Sequence, residues 1–279
     1  MFSQKASVLI MNKPIGIMDS GVGGLTVMKE IIHALPGEEV YYFADSLNCP
    51  YGPKRQDEVK NYTKEAVQFL IDKGVKAVII ACNTATAAVM PALRDEIDIP
   101  VYGVINPGSL GALRKSDNNE ILLLATEGTI KSGAYEAGIL SFDKDVKIHN
   151  LACPEFVTLI ESLDYENPAI TKTAVREKLA PYRDTKADTV ILGCTHFPII
   201  EKYIDEFFKG EKHIIDAGFE TVTIALVQLH KKKLLTANNS TPHHRIFIHG
   251  ENNTFEKVMN SWIPNTLYSV ENILLQETY

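Results

Sequence analysis

Three short runs, "AVIIA" at 77–81, "ILLLA" at 121–125 and "TVILG" at 189–193, are almost uninterrupted in apolar residues. A strand with one wet face alternates apolar and polar residues, whereas a parallel strand covered by helices on both faces does not. Longer stretches of helical pattern separate these runs, and that alternation is the mark of an α/β fold with parallel sheets. Strands are expected at Ile15 to Asp19, Val40 to Asp45, Ala77 to Ala81, Val101 to Ile105, Ile121 to Thr126, Val146 to Leu151, Thr189 to Gly193, His213 to Asp216 and Ile246 to His249. A helix should begin at Thr84 and end or kink at Pro91, whose ring removes a donor.

The 279 residues suffice for one large or two small α/β domains. No apolar run approaches the roughly 20 residues that span a bilayer, so no membrane partner is expected. A net charge of −7 disfavours nucleic acid, whose affinity comes from Lys and Arg neutralising phosphates. The one dense basic cluster, "HKKK" at 230–233, reads as a solvated helix end. Only Cys49, Cys82, Cys153 and Cys194 carry thiols, and the first residues lack the order of a secretory signal. A cytoplasmic location with reduced thiols is expected, and residues 1–12 read as an N-terminal extension.

The chain looks doubled. "IGIMDSG" and "ILLLATEGT" each end a strand at a polar residue, Asp19 and Thr126. Each is followed by a strand that ends in a thiol, Cys82 after 63 positions and Cys194 after 68. Ligand sites in open α/β sheets form at the carboxyl ends of strands, so two facing halves would bring the thiols together. Each thiol precedes donors, Asn83 and Thr84 in one case and Thr195 and His196 in the other. Such helix starts favour thiolates and bind carboxylates. Cys49 and Cys153 have no such setting and read as packing residues.

The remaining motifs exclude more than they assign. "DSGVGGLT" (19–26) lacks the third glycine of a dinucleotide loop and the G-K-[ST] ending of a P-loop, although its backbone and Ser20 could still meet an anion. "NCPYGPKR" (48–55) is a Pro- and Gly-punctuated loop that either turns the chain or faces a ligand. "CTH" and the "HH" at 243–244, placed in a polar loop, lack metal-site spacing, so no metal is expected. Glu161 falls on an amphipathic helix, where it is either solvated or turned to the site.

Two thiols flanking one α-carbon allow proton removal from one face and delivery to the other without a cofactor. Donors aimed at the adjacent carboxylate would stabilise the charge that develops. A nucleotide- or anion-binding module with structural thiols is the competing class.

The motifs "DSGVGGLTV", "PYG", "ACNTATA", "ATEGTIKSGAY", "CPEFV" with "LIE", and "LGCTHFP" resemble, in this order, those of the glutamate racemases of the aspartate/glutamate racemase superfamily. The resemblance, whose near competitor is a racemase of aspartate or a related acid, covers about Ile15 to Asp216. It implies two pseudo-symmetric α/β domains with mainly parallel sheets and the active site between them, 13–106 plus 218–279 forming one and 107–217 the other. It further implies a cytoplasmic homodimer that supplies D-glutamate for peptidoglycan. The implied acid/bases are Cys82 and Cys194, assisted by Asp19, Glu161 and His196. Substrate glutamate would meet Asp19, Ser20, Tyr51, Gly52, Asn83, Thr84, Thr129, Thr195 and His196. One departure stands in the loop before "PYG", where Ser46 and Asn48 replace the Thr and Arg that such proteins often carry.

Overall fold

The structure, a computed structural model, describes residues 10–237, 241–251, 255–264 and 266–275. Its strands are β1 (Ile15–Asp19), β2 (Val40–Ala44), β3 (Ala77–Ile80), β4 (Val101–Gly103), β5 (Glu120–Ala125), β6 (Lys147–Ala152), β7 (Thr189–Gly193), β8 (His213–Asp216), β9 (His244–His249) and β10 (Tyr268–Ile273). They form two sheets, ordered β10-β9-β2-β1-β3-β4 and β6-β5-β7-β8, and every pairing is parallel. The order β2-β1-β3-β4 recurs in the second sheet as β6-β5-β7-β8, so the doubling read from strand ends extends to topology.

Each sheet buries both faces, which is why its strands are continuously apolar. On one side of the first sheet Ile15, Ile17, Ile79 and Ala81 share a core. On the other, Met18, Val78, Ile80 and Cys82 pack together. The second sheet repeats this, with Leu122, Leu124, Val190, Leu192 and Cys194 on one side and Ile121, Leu123, Ala125 and Ile191 on the other. Each Ile, Leu, Val or Met side chain among these contributes about 1.5–3 kcal/mol by leaving water.

The expected strands appear with ends shifted by no more than about two residues, the usual uncertainty of helix and strand boundaries. Helix Asn83–Val89 stops before Pro91 and a short second helix, Ala92–Glu96, follows. Two readings change. His244 lies not in a polar loop but at the start of β9, buried, with its Nδ1 accepting from Val40 N at 3.1 Å. Burial lowers its pKa to about 4, so the ring stays neutral and keeps that acceptor. β10 was not anticipated, because its burial alternates weakly along "YSVENI" and it forms the sheet edge.

The amino end of the first sheet is closed by a buried ion pair. Lys76 Nζ lies 2.5 Å from Glu38 Oε2, both side chains almost fully enclosed. Lys76 also donates to Met11 O at 2.6 Å, and Glu38 Oε1 accepts from Thr236 N at 2.7 Å. Helix Ala217–Lys231, which leads to Thr236, packs on helices Leu25–Ala34 and Ile105–Lys115. "HKKK" is indeed exposed at its end. Among the described residues no helix is long and apolar enough to cross a membrane.

Candidate active site

The carboxyl ends of β1, β3, β5 and β7 converge on one pocket. Register places them there: Met18 pairs with Ile80 and Ala125 with Gly193, so Thr126 emerges beside Cys194, and Ser20, the residue after Asp19, emerges beside Cys82. A cavity of about 230 Å³ is lined by both Cys82 and Cys194 together with Ser20, Tyr51, Gly52, Asn83, Thr84, Thr195 and His196. Nine of the expected site residues therefore reach one space.

Asp19, Glu161 and Thr129 stand behind that wall. Asp19 is fully buried and accepts from Gly21 N at 3.1 Å and from the Thr195 hydroxyl at 3.3 Å. Glu161 accepts from His196 Nε2 at 2.7 Å, while His196 Nδ1 lies 3.6 Å from Cys194 Sγ. Glu161 is thus turned to the site, at the end of helix Pro154–Glu161. Thr129 joins a hydroxyl triangle with Thr84 and Thr126, the contacts being 2.8, 3.2 and 3.0 Å. That triangle ties the helix after β3 to the strand end of β5.

The electrostatics divide the pocket. Burial pulls the His196 pKa down, but the bonds to Cys194 and Glu161 outweigh it and hold it well above the ordinary histidine value. Burial likewise opposes ionisation of Glu161, yet His196 keeps its carboxyl below the usual range. These two directions describe one imidazolium–carboxylate pair beside Cys194. On the other wall, burial and the charge of Asp19 push the Cys82 thiol up to about 12, although Ala85 N donates to its sulfur at 3.5 Å. Burial raises Asp19 to about 6 against the lowering pull of His196 and the Gly21 and Gly24 amides.

Glycines permit the close approach of the halves. A Cβ on Gly23 would stand 2.4 Å from Thr195 Oγ1 and 2.7 Å from His196 Nδ1, and one on Gly24 would stand 2.5 Å from Asp19 Cβ. The Gly-rich turn is therefore a packing device that seats the second thiol's loop against the first half.

Asn48, the departure in the "PYG" loop, braces it instead of the arginine. Its Nδ2 donates to both oxygens of buried Asp45 at 3.0 and 3.1 Å. The same carboxylate accepts from the Tyr51 hydroxyl at 2.5 Å and lies 2.8 Å from His249 Nδ1. Gly52 O then accepts from Gly128 N at 3.0 Å, joining the loop to the second half.

Several wall residues were not anticipated: Pro50, Pro53, Thr126, Glu127, Pro154, Val157 and Thr158. Two signals would have found some of them. Thr126 stands beside Cys194 in the second sheet as Ser20 stands beside Cys82 in the first. Pro154, Val157 and Thr158 precede Glu161 by seven, four and three residues, on one helix face. Cys49, read as packing alone, donates to Glu161 Oε1 at 3.9 Å, and burial and that carboxylate raise its pKa. Cys153 does pack, fully buried in the second core. Among the described residues no cluster of His, Cys, Asp and Glu could hold a metal ion.

Residues 15–225 match the model of the Asp/Glu/Hydantoin racemase family. The chain belongs to this family. It is accordingly an amino-acid racemase, an isomerase. It is 43% identical over 265 residues to a glutamate racemase of Listeria monocytogenes, covering 95% of this chain and 99% of that protein. Among solved structures it resembles glutamate racemase isoform RacE1 from Bacillus anthracis, with a TM-score of 0.90, 38% identity and coverage of 95% and 98% of the two chains. It also resembles the glutamate racemase of Francisella tularensis in complex with D-glutamate, with a TM-score of 0.85, 30% identity and coverage of 96% and 100%.

Proposed function

We infer that this racemase interconverts L- and D-glutamate by proton transfer between Cys82, the α-carbon and Cys194, without a cofactor. The observation that carries the reading is the meeting of two thiols, from equivalent strand ends of two sheets, in one donor-lined pocket. One sulfur, as thiolate, takes the α-proton and becomes a thiol. The other, as thiol, protonates the opposite face and becomes the thiolate that begins the reverse reaction. His196, paired to Glu161, exchanges its proton with Cys194 and so sets which form that sulfur takes. Asp19 plays the corresponding part near Cys82, where an entering ammonium group would offset the carboxylate's charge and ease ionisation of the thiol.

The α-proton beside a carboxylate is a weak acid, so the carbanion-like charge must be met by fixed donors. Ser20, Asn83, Thr84 and Thr195, with the N–H groups at the start of helix Asn83–Val89 and in the Gly52 turn, supply them. Glutamate is favoured as substrate because the relatives named above are glutamate racemases, one of them in complex with D-glutamate. The reading extends to a cytoplasmic homodimer that provides D-glutamate for peptidoglycan, with 13–106 plus 218–279 as one domain and 107–217 as the other.

The test is incubation of purified, reduced protein with L- or D-glutamate in D₂O, followed by circular dichroism and mass analysis of the amino acid. Loss of optical activity with one deuterium at the α-carbon is expected. No change in either signal from folded protein refutes glutamate, and exchange of aspartate alone under the same conditions moves the substrate to the shorter acid.

A further inference from the structure

The stretch "SGAY" ends in a residue that the two-thiol chemistry does not use. Tyr135 lies on helix Ala134–Leu140 of the second half, is 1% exposed, and donates its hydroxyl to Asn83 Oδ1 at 2.7 Å. Asn83 belongs to the first half and lines the pocket.

A side-chain amide has an acceptor end and a donor end, and its neighbours decide which way it turns. Were Asn83 reversed, its Nδ2 would donate to the phenol oxygen. The phenol proton would then be buried with no acceptor, since among the described residues its only bonded partner is Asn83. An orphaned buried donor is the more costly arrangement. With Oδ1 held by Tyr135, Nδ2 has no acceptor among the described residues and is left to the pocket side.

We propose that Tyr135 is a positioning residue which locks Asn83 so that its amide N–H groups, and not its oxygen, face a carboxylate of the bound amino acid. The inference rests on the glutamate reading above. Because the lock spans the two halves, it also makes the donor available only when helix Ala134–Leu140 is seated against the start of helix Asn83–Val89.

The experiment is a double-mutant cycle on the full chain, with KM and kcat measured for both glutamate enantiomers. Tyr135→Phe removes one oxygen and keeps the ring. It should raise KM about tenfold for both enantiomers, the effect of losing a donor to a charged group, with kcat within about twofold. In an Asn83→Ala background the same change should add nothing, because nothing remains to orient. An unchanged KM in Tyr135→Phe overturns the proposal, as does an equal rise when Asn83 is already Ala. Should Tyr135→Phe fail to fold, Asn83→Asp with Tyr135 intact reads the same orientation. An oxygen then replaces the donors and KM must rise at least as far as in Asn83→Ala, while a wild-type KM overturns the lock. Wild-type protein without racemisation of glutamate in this assay overturns the underlying reading instead.

Discussion

His196 gives one ring nitrogen to Glu161 at 2.7 Å and turns the other to Cys194 at 3.6 Å. The carboxylate therefore holds the ring's orientation and its charge, and only one of the two thiols benefits. His196→Asn should lower kcat/KM about a hundredfold, within the range for a lost acid–base partner, and Glu161→Gln less. Enantiomers have equal free energy, so kcat/KM must fall equally in both directions. The asymmetry should surface in isotope effects: with α-deuterated substrates, the effect should grow only in the direction in which Cys194 removes the proton. Equal growth in both directions would separate His196 from Cys194.

The buried carboxyl of Asp19 gives a second, pH-dependent expectation. Burial raises it from 3.8 to about 6, so between those pH values the folded chain holds a proton that the unfolded chain has released. Stability from this group therefore falls as pH rises from about 4 to about 6, and the cost is complete above that window. Activity runs the other way, because a protonated Asp19 can no longer accept the proton that Cys82 must give up. The kcat/KM profile, which reports the free enzyme, should fall below about pH 6, and Asp19→Asn should abolish that limb. The same variant should be more stable at pH 7 by up to about 3 kcal/mol, the worth of a rise from 3.8 to about 6, as read by urea unfolding.

Cys82→Ser and Cys194→Ser should each abolish racemisation while leaving the circular dichroism of the folded chain unchanged. A serine hydroxyl fills nearly the same space but is a far weaker acid than a thiol. Near-normal turnover in either variant would remove the two-thiol mechanism.

Much of this site was legible because strand ends and their neighbours are local in sequence. The apolar runs located β3, β5 and β7, and the residues that follow them fell into the pocket. What was hidden depends on contacts between distant segments. Nothing near Asp45 announces that His249, 204 residues later, lies 2.8 Å from its carboxylate, nor that Lys76 will find Glu38. β10 escaped because an exposed edge strand has little apolar signal to give, and His244 because a strand start looks polar when its one buried ring accepts a backbone hydrogen bond.

The Lys76–Glu38 pair should matter for stability alone. It lies at the amino end of the first sheet, away from the carboxyl ends that form the pocket. Removing one partner of a buried pair strands the other charge, at a cost of about 3–5 kcal/mol. Lys76→Met should lower the unfolding free energy by about that amount in urea titrations and leave KM unchanged. A variant as stable as the parent would mean that Glu38 takes up a proton or reaches water instead.

Tyr51 offers the sharpest separation between a wall and a contact. Its ring lines the pocket, but its hydroxyl is committed to Asp45 Oδ2 at 2.5 Å, so the oxygen is not free to donate to a substrate carboxylate. Tyr51→Phe should leave KM for glutamate within about twofold and cost about 1.5–3 kcal/mol of stability, the net worth of a hydrogen bond to a carboxylate. Asp45→Asn differs in kind, because its amide would point a donor at Tyr51, at Asn48 or at His249. The loop that carries Gly52 to the pocket should loosen, and KM should rise while kcat changes less. Comparing the two variants assigns the role: a tenfold rise in KM for Tyr51→Phe would make the hydroxyl a direct substrate contact, whereas a rise confined to Asp45→Asn places the effect in the bracing of the loop.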